Sequence, residues 1–398
     1  MTISEPADTV HQRDDIPAPA PVTVPGKVRP AGPAPAIATL TGIRALACIW
    51  VVINHFEGIL AGMLPFTRDL RPPIRAGYLS VEVFFLLSGF ILAYNYAEKV
   101  TSRPAYRKYL WARAARIYPV YFTTFLLAFA FAMTFPSTFR EALGQDFPYT
   151  VGNFVANVFM MHALPGFTGF DGPSWSVSCE VVAYVLFPLL AWWALKVSSR
   201  AALASATAVL AVGVVLINLT TAASPNWSVE HHVMWIRIST DFTSGVLLWA
   251  WWRARDRGSA RWDVIAVGSV LTTIVLSFFI NPDAPVSFAF LPLVALFVLS
   301  CASATGPLAR LLSSAPMQWG GKVSYSLFLG HFPVLLMLRE FMPWEDAFDA
   351  PFPVRVGWLL MAALWIVGTG AVLYHFVEEP ARRVILRHWA RRQGLPTR

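Results

Sequence analysis

Apolar residues in this chain gather into runs close to the ~20 residues that a membrane-spanning helix needs, with short polar segments between them. Ten runs are predicted as spans: residues 38–60, 78–98, 117–135, 176–196, 201–220, 233–252, 263–280, 286–304, 323–340 and 356–378. A shorter apolar stretch at 150–164 reads as a re-entrant or interfacial helix within a long outer loop. The expected fold class is therefore all-α, a polytopic membrane helix bundle of about ten transmembrane helices, without an internal repeat or a second soluble domain. Residues 1–36, rich in Pro and Ala with little to bury, read as a disordered cytoplasmic tail; 37–385 form the membrane domain and 386–398 a basic cytoplasmic tail. No apolar core with a cleavage site precedes Ile37, so the first span is expected to be retained as a signal anchor.

Composition agrees with this pattern and removes other classes. Of 398 residues, 56% are hydrophobic and only 14% charged, which excludes an ordinary soluble enzyme. The net charge of +8 does not point to nucleic acid, because the basic residues fall between apolar runs with no basic-aromatic motif. They set topology instead: Lys99, Arg103, Arg107, Lys108, Arg113 and Arg116, then Lys196 and Arg200, then Arg253 to Arg261, then the C-terminal arginines, alternate with outer loops such as the one holding Glu345, Asp346 and Asp349. The positive-inside rule then predicts a multi-pass protein of the cell membrane with both termini cytoplasmic. Cys48, Cys179 and Cys301 all lie in or beside apolar runs, and neither a disulfide framework nor a metal site is expected from them.

The first run, LTGIRALACIWVVINHFEGIL, carries two groups that hydrocarbon should reject, Arg44 and His55. Eleven residues at about 3.6 per turn place both on one face, roughly 16 Å apart along the axis. A fixed cation and a titratable base on one stripe make a candidate site. Snorkelling of Arg44 and a neighbouring-helix partner for His55 would explain the same residues.

Other polar residues could complete such a site. Glu82 and Glu180 open the second and fourth spans at similar depth, in the same half of the membrane as His55. A carboxylate there could fix the imidazole tautomer and raise its basicity; Glu82 equally suits a helix N-terminus, and Glu180 a lining role among Trp175, Ser176 and Ser178. Arg113 and Arg116, three apart at the inner surface, are placed to clamp phosphates. The ninth span brings Ser324 and Tyr325 near its inner end and His331 two turns deeper, where Pro333 could also leave a carbonyl for the imidazole to satisfy. Glu378 and Glu379 meet the basic tail and are expected to form an interfacial charge cluster. No serine-nucleophile elbow, zinc-binding HExxH or phosphate loop occurs, and His231-His232 falls in a predicted outer loop.

Together these motifs resemble the acyltransferase 3 family of integral membrane acyltransferases. Arg44 with His55 after ten intervening residues carries the resemblance furthest. It is joined by the FFxLSGF run at Phe84 to Phe90, the RxxRIxPxY run at Arg113 to Tyr121, WSxSxE at Trp175 to Glu180, the GKxSYSLxLxH run ending at His331, and Val377 to Pro380. The resemblance implies transfer of an acyl group, commonly acetyl, from acyl-CoA as donor substrate to a hydroxyl of a carbohydrate, lipid-linked saccharide or secondary metabolite, with no permanently bound cofactor. It implies that His55 is catalytic, with Arg44 in the same site. Some members carry a fused extracytoplasmic SGNH domain; here the sequence ends about twenty residues after the last span. A stand-alone enzyme, or one acting with a separate extracytoplasmic partner, is therefore expected. A transporter or flippase is the alternative reading of the intramembrane charges, against which stands the lack of an inverted repeat.

Overall fold

A computed structural model describes residues 35–143, 149–221, 231–255 and 258–392. The predicted N-terminal tail up to residue 34, and residues 393–398 of the basic tail, lie outside the described residues. Among the described residues every regular element is helical. The principal helices are α1 (Pro35–His55), α2 (Leu79–Tyr96), α3 (Arg103–Thr134), α4 (Trp175–Lys196), α5 (Ser199–Thr221), α6 (His231–Arg253), α7 (Arg261–Ser277), α8 (Leu291–Ser303), α9 (Ala315–Phe341), α10 (Phe352–Val372) and α11 (Glu379–Arg392).

Among the described residues eight segments, comprising α1 to α5 and α8 to α10, are long and apolar enough to cross a membrane. The other two predicted spans exist as helices but differ in kind. α6 carries Arg237 and Asp241 in its interior, and α7 has only 17 residues. The chain is thus a multi-pass helical membrane protein. Its outer faces are apolar, as with Leu219 on α5 (74% exposed) and Leu364 on α10 (73%), which suits contact with lipid and not water.

Several boundaries move from the predicted ones for visible reasons. α1 stops at His55, where Phe56 leaves helical geometry and a separate short helix, Glu57–Met63, begins. α3 starts fourteen residues before the predicted span, because Ser102 caps it by accepting from the Ala105 amide (3.4 Å) with Pro104 in the first turn. The 32-residue helix, about 48 Å long, therefore carries Arg107 to Arg116 on the same rod as its membrane portion. At the other end, α10 passes through a π-helical turn, Leu373–Glu378, into α11, so residues 386–392 continue a helix.

Two parallel helix pairs set the frame of the site. In the α1–α9 pair, Gln318 donates to the Ala38 carbonyl (2.7 Å), Cys48 to the Ser324 carbonyl (3.3 Å), and His55 meets His331. The backbones touch: a Cβ on Gly321 would fall 2.0 Å from the Thr41 carbonyl oxygen. In the α2–α6 pair, Gly89 and Gly245 are reciprocal, each facing a carbonyl of the other helix where a Cβ would sit 2.1–2.2 Å away. Small residues permit this approach where hydrocarbon offers no hydrophobic drive to hold helices together. The approach also buries an ion pair, Glu82 with Arg237, whose side chains are nearly inaccessible.

Candidate active site

The Arg44 and His55 stripe of α1 faces the bundle interior, while Leu46, Ile49 and Ile53 on the opposite face are exposed. The two polar residues open onto different spaces. Arg44 lines a cavity of about 110 Å³ with Ser88, Arg113, Arg116, Glu180, Tyr184, Ser324 and Tyr325. His55 lines a larger chamber of about 330 Å³ with His162, Trp175, His231, Phe332 and Arg339. Glu180 thus belongs with Arg44 and not with His55.

The Arg44 cavity is crowded with fixed charge. Arg116 pairs with Glu378 at 2.7 Å, and Ser326 donates to the second oxygen of the same carboxylate at 2.6 Å. Glu378 is fully buried, so it does not share the interfacial cluster expected at the C-terminal tail. Only Glu379 does, pairing with Arg382 and Arg383. The π-helical turn is what rotates Glu378 inward, in keeping with the frequent use of such turns at functional sites. Arg113 lies over the Tyr96 ring (5.2 Å) and donates to its hydroxyl (3.3 Å). Glu180 accepts from Ser88. Tyr325 donates to the Ile117 carbonyl at 2.6 Å and Ser324 to the Gly321 carbonyl at 3.0 Å. The Tyr325 hydroxyl is therefore committed to backbone. Arg107 and Lys108 are exposed, away from the cavity.

At the other end, the partner of His55 is an imidazole. His55 Nδ1 lies 2.7 Å from His331 Nε2, with the rings stacked at 4.9 Å. One N–H occupies that contact; when His55 donates it, the remaining ring nitrogen of His55 keeps a lone pair. His331 is fully buried, whereas His55 keeps exposed ring surface in the chamber it lines. The expectation that Glu82 or Glu180 supports His55 is corrected here. Glu82 is turned toward Arg237, whose guanidinium stacks on Trp175 at 4.6 Å. His331, for its part, turns its Nε2 to His55.

The roof of the chamber comes from the 150–174 segment, which forms the short helix Val151–Val158 and a pinned loop. Asn153 and Asn157, one turn apart, hold that loop through the Thr168 amide (2.8 Å) and the Phe170 amide (3.1 Å). His162 follows, 3.0 Å from Ser174 Oγ and 3.2 Å from the Tyr121 hydroxyl; burial pushes it down to about 4, so it is neutral. Nearby Asp171 is pushed up to about 8 by burial, which the hydrogen bond from Thr124 (2.8 Å) only partly offsets. His231 begins α6 instead of lying in a loop, and it donates to the Ala163 carbonyl at 3.0 Å.

Residues 37–376 match the family profile described as an acyltransferase domain. The chain belongs to the acyltransferase 3 family. It is 26% identical over 376 residues to acyltransferase MdmB of Streptomyces mycarofaciens, covering 88% of this chain and 92% of that protein. It is 24% identical to the putative peptidoglycan O-acetyltransferase YrhL of Bacillus subtilis, covering 89% of this chain and 56% of that protein. Peptidoglycan O-acetyltransferase OatA of Listeria monocytogenes is 22% identical, with 87% and 56% covered. The chain thus spans little more than half the length of these two peptidoglycan relatives. No solved structure matches it. Membership makes the protein an acyltransferase, and the transporter reading of its intramembrane charges is set aside.

Three residues of the acyltransferase's interior escaped sequence reasoning. Arg237 is an ionisable residue inside an apolar run, the same signal that drew attention to Arg44. Glu378 was legible as a carboxylate but not as an inward one, because an ordinary helix would have carried it outward. His162 sits in a loop without periodicity and gave no signal.

Proposed function

We propose that this protein is an O-acyltransferase that moves an acyl group, acetyl being the expected one, from acyl-CoA to a hydroxyl of a carbohydrate, glycolipid or secondary metabolite, with His55 as general base. The observation that carries this reading is the His55–His331 contact at 2.7 Å, opening onto a chamber that adjoins the arginine-lined cavity toward the other end of α1. Arg44, Arg113 and Arg116 supply the cationic groups that the phosphates of a CoA donor require, and arginine is suited to bidentate phosphate contacts. The basic inner segments support placing this end at the cytoplasmic face of the cell membrane, where acyl-CoA is made. From there to His55 is roughly 16 Å along α1, a distance of the order that an extended phosphopantetheine arm covers.

In this mechanism the acceptor hydroxyl sits in the chamber and gives its proton to the unprotonated nitrogen of His55. Its oxygen attacks the thioester carbonyl, and the tetrahedral oxyanion collapses with cleavage of the carbon–sulfur bond. The leaving thiolate takes the proton back from the imidazolium, so donor and acceptor become ester and free CoA with no net proton change. His331 shares the charge that develops on His55 during the step. Two of the relatives are named for O-acetyl transfer to peptidoglycan, which supports a saccharide hydroxyl as acceptor. The test is thiol release from acetyl-CoA by the purified protein across a panel of hydroxyl acceptors. Release above the no-acceptor rate with one of them, abolished in folded His55→Ala, is expected; no acceptor-dependent release overturns the reading.

A further inference from the structure

The arginine-lined cavity and the histidine-lined chamber share two lining residues, Val81 on α2 and Phe328 on α9. Both are nearly inaccessible, at 7% and 6% exposure. Phe328 lies one helical turn before His331 on the side toward Arg44. Its ring packs edge-on against Phe84 (5.7 Å), which lines the arginine cavity, and at a tilt against His331 (6.0 Å), the partner of the base. We infer that Val81 and Phe328 form an apolar partition that the acyl-thioester must cross to reach His55, and that the aperture they leave selects the length of the acyl group transferred. This rests on the proposed use of acyl-CoA from the Arg44 end.

Val81 and Phe328 face both spaces, so a donor held by its phosphates among Arg44, Arg113 and Arg116 approaches the base beside this pair. Each extra methylene on the acyl group has to pass a ring on one side and a branched side chain on the other, in an interior with little spare volume. A methylene refused or admitted by an apolar pocket changes discrimination by about 10- to 200-fold. The same partition keeps the contents of the larger chamber away from a thioester that waits below it. Opening it therefore exposes the thioester carbonyl to water, which adds to the carbonyl carbon, breaks the carbon–sulfur bond and releases the carboxylic acid and CoA thiol.

The experiment compares wild type with Phe328→Ala and Val81→Ala in the full chain. It measures thiol release from acetyl-CoA and butyryl-CoA, with the acceptor that wild type uses and without it. The expected result is a rise of the butyryl-to-acetyl ratio of kcat/KM by on the order of tenfold in either variant, with increased acceptor-independent hydrolysis. Phe328→Trp should lower the ratio. Should Phe328→Ala fail to fold, Val81→Ala carries the test alone, since it removes two methyl groups from an edge of the partition. Active variants with unchanged chain-length ratio and unchanged hydrolysis overturn the partition while leaving the proposed function standing. A wild type that releases no thiol from either donor with any acceptor overturns both.

Discussion

The two ends of the interior solve opposite problems. The Arg44 end gathers permanent charges and pairs them, Arg116 with Glu378 and Arg113 against Tyr96, so that a cavity of about 110 Å³ stays cationic in an apolar bundle. Among the described residues no carboxylate lies against the His55 imidazole; His55, His162 and His231 share a chamber about three times larger with aromatic walls. Fixed charges suit binding, because they attract phosphates at every pH. Imidazoles suit chemistry, because a neutral ring carries a lone pair that can take up a proton during a step. One polar stripe on α1 thus opens onto two unlike spaces, divided by depth.

The comparison breaks first at His55. His55→Ala is expected to lower turnover by on the order of 10² to 10⁴ while donor affinity is kept, measured by acyl-CoA binding alongside single-turnover rates on protein of intact fold. Near-normal turnover would move the base to another residue, with His331 next in line.

The next largest effect concerns the frame and not either end. Glu82 and Arg237 are buried together, and removing one partner leaves an uncompensated charge, a loss of about 3–5 kcal/mol. Glu82→Gln or Arg237→Met should therefore sharply reduce folded protein recovered in detergent, whereas Glu82→Leu combined with Arg237→Met should recover much of it. If the double variant is as poor as either single one, the pair matters through something other than mutual neutralisation.

At the arginine end, Arg116→Ala should raise the KM for the acyl donor by about tenfold, close to 1.4 kcal/mol, and change turnover at saturating donor much less. A matching fall in both kcat and kcat/KM would place Arg116 in the chemistry, and the division of labour between the ends would fail.

The smallest effect tests the chamber roof. The Asp171 carboxyl is raised in the folded protein, so it favours the protonated form there; its contribution to stability is full below the ordinary carboxylate range and is lost as pH rises toward about 8. His162 runs the other way, since its folded value is lowered and its contribution is lost only as pH falls below about 6.5. Above about pH 6.5, of these two groups only Asp171 contributes a slope. Asp171→Asn should flatten the fall in melting temperature across that window by a few degrees, read from thermal unfolding at several pH values. An unchanged slope would assign it to other groups.

Local periodicity and the cost of burying charge were legible along the chain. Apolar runs near bilayer length gave the helices, and an 11-residue spacing placed Arg44 and His55 on one interior face, because helical geometry is the same in every context. Tertiary structure alone decided which helices touch. Pairing α1 with α9 gave His55 a histidine partner in place of a carboxylate, and pairing α2 with α6 took Glu82 away to Arg237. A π-helical turn carried Glu378 inward to Arg116. The reason is physical: a buried ionisable group announces in sequence that it needs a partner, but the partner is whichever group the packing of apolar surfaces brings within about 3 Å, and that packing is not encoded in any single helix.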